Sequence, residues 1–426
     1  MICFVIILLF LAALVIFRQA FSTFFVQDDF ILINQFSQGT FFEDIARSFG
    51  RPAVTHWRPF HNLYFLMTGN LFGKSYFLYH LLTFVIHISA GFMIYKVAKL
   101  IFKNDFSGFL AAFLYVVNPL HFVSLFWISG SATMIGFLFF ITSFYSYMVG
   151  KKLPSLISFV FSLLASEAMI AGLAVFFAWE FFGGRKKLDF RFLPMLSAVS
   201  LGFLTVRYFF FTPKITFDVY QLELSQNTFL AVKYYILRIL GFGEVSADLV
   251  PTVLILGFLA TLIVLLFKKS GDLRILAFFL SVIFFGLFPF VLIPSHLSPH
   301  YMNISAFGFS ILAAFSLLNN PKVVQLVLGL LFLVSAFLTV NLTTTSNWVV
   351  KRSTVAKYYI DRIEQLNPRK DTQLIFNDNQ TSTSQAAYVS LGTGEALKFW
   401  FGDKNYGSCF SFFQKCEARI NSLEID

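Results

Sequence analysis

Two adjacent aspartates, Asp28 and Asp29, follow the first apolar segment, and His56-Trp57-Arg58-Pro59-Phe60-His61 comes shortly after. A charged Asp costs roughly 2.5–3.5 kcal/mol at the centre of a membrane helix and much less at its end. The pair therefore either marks where a helix stops or forms the floor of an active site at the membrane surface. Neighbouring side chains diverge by about 100° on a helix and point to opposite faces in a strand. One aspartate is expected to do chemistry or bind metal, and the other to serve a helix N-terminus or an orienting hydrogen bond. A carboxylate near a hydroxyl in a partly desolvated cavity makes a general base. Arg58, Arg207 and His300 offer positive charge to a phosphate, with arginine suited to bidentate contact.

The elements that must position these groups are membrane helices. The chain has 426 residues, 57% of them hydrophobic and 13% charged, with mean hydropathy +0.74. That excludes a soluble globule. Apolar runs of about 20 residues recur, each long enough to span roughly 30 Å of hydrocarbon, and in lipid such runs are helices. The net charge of +10 does not imply nucleic acid, because the basic residues are dispersed and several sit in short loops between spans. The three cysteines form no CxxC pair; Cys409 and Cys416 can form a disulfide if the C-terminal region is extracytoplasmic.

Eleven spans are expected, at about 2–25, 76–102, 106–125, 133–149, two short segments within 154–182 that meet at Glu167, then 192–211, 251–267, 273–293, 301–318 and 323–342. The first reads as a retained span, because no basic residue precedes it and no small-x-small site follows. Positive-inside asymmetry puts Lys103, Lys151-Lys152 and residues 185–191, 268–274 and 322 in the cytoplasm. The N-terminus is then inside. The loops 26–75 and 212–250 and the region 343–426 are outside. Interfacial helices are expected at 41–49 and from Pro59, which suits a first helical turn. An amphipathic stretch is expected at 229–242. The fold class is an all-α polytopic membrane bundle, residues 1–342, carrying a small extracytoplasmic α/β domain, 343–426.

This topology gathers Asp28, Asp29, His56, Arg58, His61, Asn118, His121, Glu167, Arg207, His300 and Tyr301 at the outer boundary. Ionisable residues at membrane depth are functional candidates by default, yet each has a plainer alternative. His121 after Asn118-Pro119 can cap the end of a span, Arg207 can snorkel, and His80 and His87 share one helix face and suit hydrogen bonds within the bundle. Glu167, a lone acid where two short segments join, needs a partner or a water-filled cavity.

In these residues the sequence resembles the GT-C superfamily of polyprenyl-phosphate-sugar-dependent glycosyltransferases. It is most similar to the protein O-mannosyltransferase-like branch, including the membrane half of tetratricopeptide-bearing O-mannosyltransferases. The resemblance rests on six stretches in register: Asp28-Asp29, Trp57-Arg58-Pro59-Phe60, Tyr79-His80-Leu81-Leu82 with His87, Asn118-Pro119-Leu120-His121, Ser166-Glu167, and Tyr301 with Gly308-Phe309. The chain departs from that pattern at Ser124, at Gly130-Ser131 and at Pro299-His300-Tyr301.

The resemblance implies a lumen- or periplasm-facing site that uses a dolichyl- or undecaprenyl-phosphate sugar; separately, a multi-pass protein of the plasma membrane of a prokaryote is expected. The activity implied is a hexosyl- or mannosyl-type transfer, with inversion, to a hydroxyl of a protein, lipid or glycan acceptor. One of Asp28 and Asp29 would be the base, Arg58 would meet the donor phosphate, and His56, His61, His121, Glu167, Arg207, His300 and Tyr301 would contribute to substrate binding. Asp28, Asp29 and Glu167 leave room for a divalent cation, Mg or Mn. An aminopentose transferase acting on lipid A fits the same frame. The readings from other classes are a transporter or flippase of lipid-linked sugars, which calls for charged residues along a mid-membrane path, and a scaffold without activity.

Overall fold

In the computed structural model, apolar runs become helices in the order in which they occur. The structure describes residues 2–35, 40–50, 56–183, 192–211, 220–244, 248–267, 273–378, 382–416 and 421–425. The basic runs expected at 185–191 and 268–272 lie outside the described residues. The first five helices are α1 (Ile2–Phe17), α2 (Gln27–Gln35), α3 (Phe41–Phe49), α4 (Pro59–Phe72) and α5 (Tyr76–Phe102). Next come α6 (Asp105–Val116), α7 (Phe122–Phe126), α8 (Ser131–Met148), α9 (Lys152–Ala165), α10 (Gly172–Phe182) and α11 (Leu193–Phe210). The bundle ends with α12 (Gln226–Ile239), α13 (Leu249–Phe267), α14 (Leu273–Val291), α15 (Asn303–Leu317) and α16 (Lys322–Ser346).

Seven helical segments among the described residues are long and apolar enough to cross a membrane, and the bent pair Asp105–Val116 and Pro119–Phe126 makes an eighth. The bend, 45°, falls where a single span is expected from the sequence. Pro119 has no N–H to donate and disfavours helical backbone at the residue before it; Asn118 instead caps the next turn by accepting from Leu120 N–H at 3.0 Å. The expected break at Glu167 is present. α9 ends at Ala165, Ser166 is extended, and a 3-10 turn from Glu167 leads into α10. The helices α9, α10 and α15 have 14, 11 and 15 residues, short of a full crossing.

α15 is buried at every residue but Leu312, as a helix apolar all round must be. It is the axis of the bundle. α14 lies against it through small residues, which let membrane helices approach closely: a Cβ on Gly286 would stand 2.7 Å from Ser305 N, and one on Gly308 3.0 Å from Ile283 N. α3 turns Asp44 and Ser48 inward and leaves Phe41 and Phe42 exposed, the disposition of a helix lying at an interface.

Beyond α16 the chain forms α17 (Trp348–Leu366), β1 (Gln373–Phe376), α18 (Ser384–Leu391), α19 (Glu395–Phe401), β2 (Gly407–Phe410) and β3 (Ser422–Ile425). The strands pair in parallel in the order β2-β1-β3, which requires crossovers; α18 and α19 supply one. Cys409 and Cys416 are disulfide-bonded. This region shares a hydrophobic core with the chain around the start of α2: Phe24, Phe25 and Phe30 pack in one cluster with Tyr359, Ile360, Leu374 and Leu397. Asn34 donates to the Glu395 carbonyl at 2.6 Å, and Phe399 packs edge-on against Phe25. The C-terminal region is thus built onto α2, the helix that carries the aspartates.

Candidate active site

α2 begins immediately after the buried stretch Phe24–Val26, and its first turn holds both aspartates, where the helix dipole favours negative charge. Asp29, third residue of the helix, folds back: its Oδ2 accepts from Val26 N–H at 2.9 Å, closing the helix start as a capping box does. Its Oδ1 accepts from Ser129 N–H at 2.8 Å and from the Ser129 hydroxyl at 2.5 Å. Asp29 is wholly buried. Burial pushes its carboxyl up to about 7, against the hydrogen bonds from Ser129 and Val26 that favour the ionised form.

Asp28 is turned away from these donors. It is half-buried, makes no side-chain hydrogen bond among the described residues, and lines a cavity of about 670 Å³ whose wall includes Arg58, His300, Tyr301, Trp348 and Arg352. Burial raises its carboxyl pKa, and the charges of Arg352 and Arg58 oppose that rise. The two aspartates therefore divide as helix geometry requires: Asp29 is engaged in holding the helix, and Asp28 faces the cavity.

Glu167 lies behind the cavity wall as a counter-charge. Its Oε2 accepts from Arg58 Nε at 2.7 Å and its Oε1 from Arg58 Nη2 at 2.9 Å, a bidentate pair. His56 Nδ1 is 2.8 Å from Oε1, and Arg207 Nη2 is 3.6 Å from the same oxygen. Arg207 therefore reaches the cluster through Glu167 rather than through the cavity lining. His56 also contacts the Tyr220 hydroxyl at 3.3 Å; burial lowers the pKa of its imidazole, with Arg58 acting in the same sense.

The other expected residues separate. His61 lines the cavity and lies 3.3 Å from the Ser131 hydroxyl; burial pushes its imidazole down to about 3, so it is neutral. His300 lines the cavity with Nδ1 2.5 Å from the Ser298 hydroxyl. Tyr301 stacks on Phe290, ring centroids 4.8 Å apart, and its hydroxyl meets His296 Nε2 at 3.1 Å. His121 is not part of this group. It is fully buried between the rings of His87 and Tyr115, at 4.6 and 4.4 Å, because the Pro119 turn carries it into the bundle.

Sequence reasoning missed Arg352, Trp348, His296 and Tyr220. Arg352 and Trp348 stand four apart at the start of α17, with the guanidinium 4.8 Å from the indole centroid. That spacing, on the helix directly after the last span, was the available signal. Tyr220 and His296 carry none beyond their place in loops between helices.

The three acids expected to hold a divalent cation do not converge on one ion as arranged. Both oxygens of Glu167 face cations, and those of Asp29 accept from Val26 and Ser129. Among the described residues no group of three His, Cys, Asp or Glu side chains could ligate a metal. What the cavity does present is one open carboxylate among guanidinium groups, an arrangement that can take a proton beside a bound anion.

The chain is thus a membrane bundle whose cavity is walled in part by a small α/β region, and comparison with known proteins finds the same kind of fold. No family model matches the sequence. The structure is similar to the crystal structure of ArnT from Cupriavidus metallidurans bound to undecaprenyl phosphate, with TM-score 0.56 and 11% identity, covering 95% of this chain and 90% of that one. It is similar as well to arabinofuranosyltransferase AftD from Mycobacteria, with TM-score 0.55 and 12% identity, covering 96% of this chain and 32% of that one. In sequence it is 31% identical over 117 residues to the Homo sapiens protein O-mannosyl-transferase TMTC1, a match to 26% of this chain that spans 13% of that protein. The chain has the fold of the GT-C glycosyltransferases.

Proposed function

We propose that the protein transfers a sugar from a polyprenyl phosphate carrier to an acceptor hydroxyl on the extracytoplasmic side of the plasma membrane. The observation that carries this reading is Asp28: an open carboxylate in a cavity that also holds the guanidinium groups of Arg58 and Arg352. In the reaction, the acceptor oxygen forms a bond to the anomeric carbon as the bond from that carbon to the carrier phosphate oxygen breaks. The electron pair leaves with polyprenyl phosphate, and Asp28 takes the acceptor proton. One displacement inverts the anomeric centre. Positioned general-base catalysis contributes about 10²–10⁴-fold, and cations beside the leaving phosphate stabilise its charge.

In this reading α9, α10 and α15 complete eleven membrane segments, with the N-terminus cytoplasmic and the cavity outside. The acceptor is a hydroxyl of a protein, lipid or glycan. The likeness to ArnT, solved with undecaprenyl phosphate, supports the carrier.

The test incubates the purified protein with a panel of radiolabelled polyprenyl-phosphate sugars, in the presence of membrane extract as acceptor source. Release of free polyprenyl phosphate above a protein-free control is expected for at least one sugar. A panel in which none is consumed overturns the reading.

A further inference from the structure

The arginine that the resemblance assigns to the donor phosphate is already engaged. Arg58 presents its Nε and Nη2 fork to Glu167 in a bidentate pair at 2.7 and 2.9 Å, so the geometry that suits a guanidinium to phosphate is occupied by a carboxylate. His56 and Arg207 approach the same carboxylate. Arg47, a third guanidinium on the cavity, is paired with Asp44 at 2.8 Å.

Arg352 differs from both. It lines the same cavity and makes no salt bridge among the described residues. Its guanidinium rests over the face of Trp348, which orients a cation without neutralising it; the Trp348 ring is braced edge-on by Trp127 at 5.3 Å. The helix that presents it is pinned at two points. Asn347 caps α17 by accepting from Val349 N–H at 2.9 Å, and Ser353 accepts from Phe24 N–H at 2.7 Å. That second bond ties the residue next to Arg352 to the strand of chain four residues before Asp28. An unpaired, oriented cation is thereby held beside the open carboxylate, and it comes from the C-terminal region.

We propose that Arg352 binds the phosphate of the polyprenyl carrier, and that Arg58 serves as the positioning partner of Glu167. The proposal rests on the carrier-dependent transfer argued above. It makes the C-terminal region part of the substrate site, so that the membrane bundle alone lacks its phosphate-binding cation.

The test measures binding of three probes to the full-length protein in detergent: undecaprenyl phosphate, undecaprenol and inorganic phosphate. Arg352→Gln is expected to weaken undecaprenyl phosphate binding about 10- to 100-fold, the loss of a charged hydrogen bond, and to leave undecaprenol binding unchanged. Arg352→Lys keeps the charge without the fork. It is expected to lose affinity by a smaller factor, and it reports on the site even if the Gln variant does not fold. Arg58→Gln is expected to lower the melting temperature more than it lowers carrier affinity. Wild-type affinity for undecaprenyl phosphate in Arg352→Gln overturns the proposal, as does a variant that loses only inorganic phosphate. A wild-type protein that binds no undecaprenyl phosphate instead overturns the transferase reading on which the proposal rests.

Discussion

The cavity beside α2 and the interior of the bundle both collect imidazoles, and their partners differ in kind. At the cavity, His56 lies against Glu167 and Tyr220, His296 against the Tyr301 hydroxyl, and His300 beside the Ser298 hydroxyl. Inside, His80 stands 2.9 Å from the carbonyls of both Thr23 and Leu125, His87 stands 2.9 Å from that of Val116, and His121 packs between rings. Main-chain carbonyls hold helices in place; side-chain hydroxyls and carboxylates around open space can exchange partners with a substrate. Depth in the membrane marks both groups as candidates. Access to the cavity separates them.

The comparison can be broken first at Glu167. Glu167→Gln leaves the largely buried Arg58 guanidinium without its counter-charge, a loss of about 3 kcal/mol. A large drop in melting temperature is expected in detergent. An unchanged melting curve would mean that the cluster is not a structural clamp.

Next is Asp29. At pH 5, Asp29→Asn is expected to cost about 1–2 kcal/mol, because the amide nitrogen cannot accept from Val26 N–H as a carboxyl oxygen does. Its carboxyl is raised to about 7 in the folded protein, against roughly 4 in the unfolded chain. The stability it contributes is therefore present below about pH 4 and lost as pH rises through 7. The gap between wild type and Asp29→Asn should narrow between pH 5 and pH 8; a constant gap contradicts the burial argument.

Asp28 sharpens the same contrast through rate. Transfer should fall on the acid side with a midpoint above the ordinary carboxylate value, because protonation removes the base and burial has raised its pKa. Arg352 opposes that rise, so Arg352→Gln should move the midpoint upward. A shift downward is the wrong sign. The smallest effect belongs to His121. His121→Gln should change the KM for the carrier by less than about two-fold whatever it does to stability, and a large KM change would return His121 to the site.

Much of the architecture was legible because apolar length and periodicity are strong signals. The helix over Phe41–Phe49, the helix opening at Pro59 and the break before Glu167 stand where the sequence places them. The region after residue 343, expected to be α/β, does hold helices and a small sheet. The division of labour within Asp28-Asp29 was legible as a requirement of helix geometry, but not which residue takes which role. That depends on Ser129, 100 residues away. Arg352 was not legible for the same reason: its distance from Asp28 is set by the packing of Phe24, Phe25 and Phe30 against the C-terminal region, a long-range contact that no local pattern encodes. His121 misled because its motif neighbours suggest a site while the Pro119 turn buries it.

The central claim is that Asp28 is the base. The most direct test counts polyprenyl phosphate released in a single turnover by wild type, Asp28→Asn and Asp29→Asn, each checked for folding by its melting curve. The account predicts a loss of about 10²-fold or more in Asp28→Asn with a melting temperature near that of wild type, and a smaller loss in Asp29→Asn that follows its stability. Release by folded Asp28→Asn at the wild-type rate would contradict it.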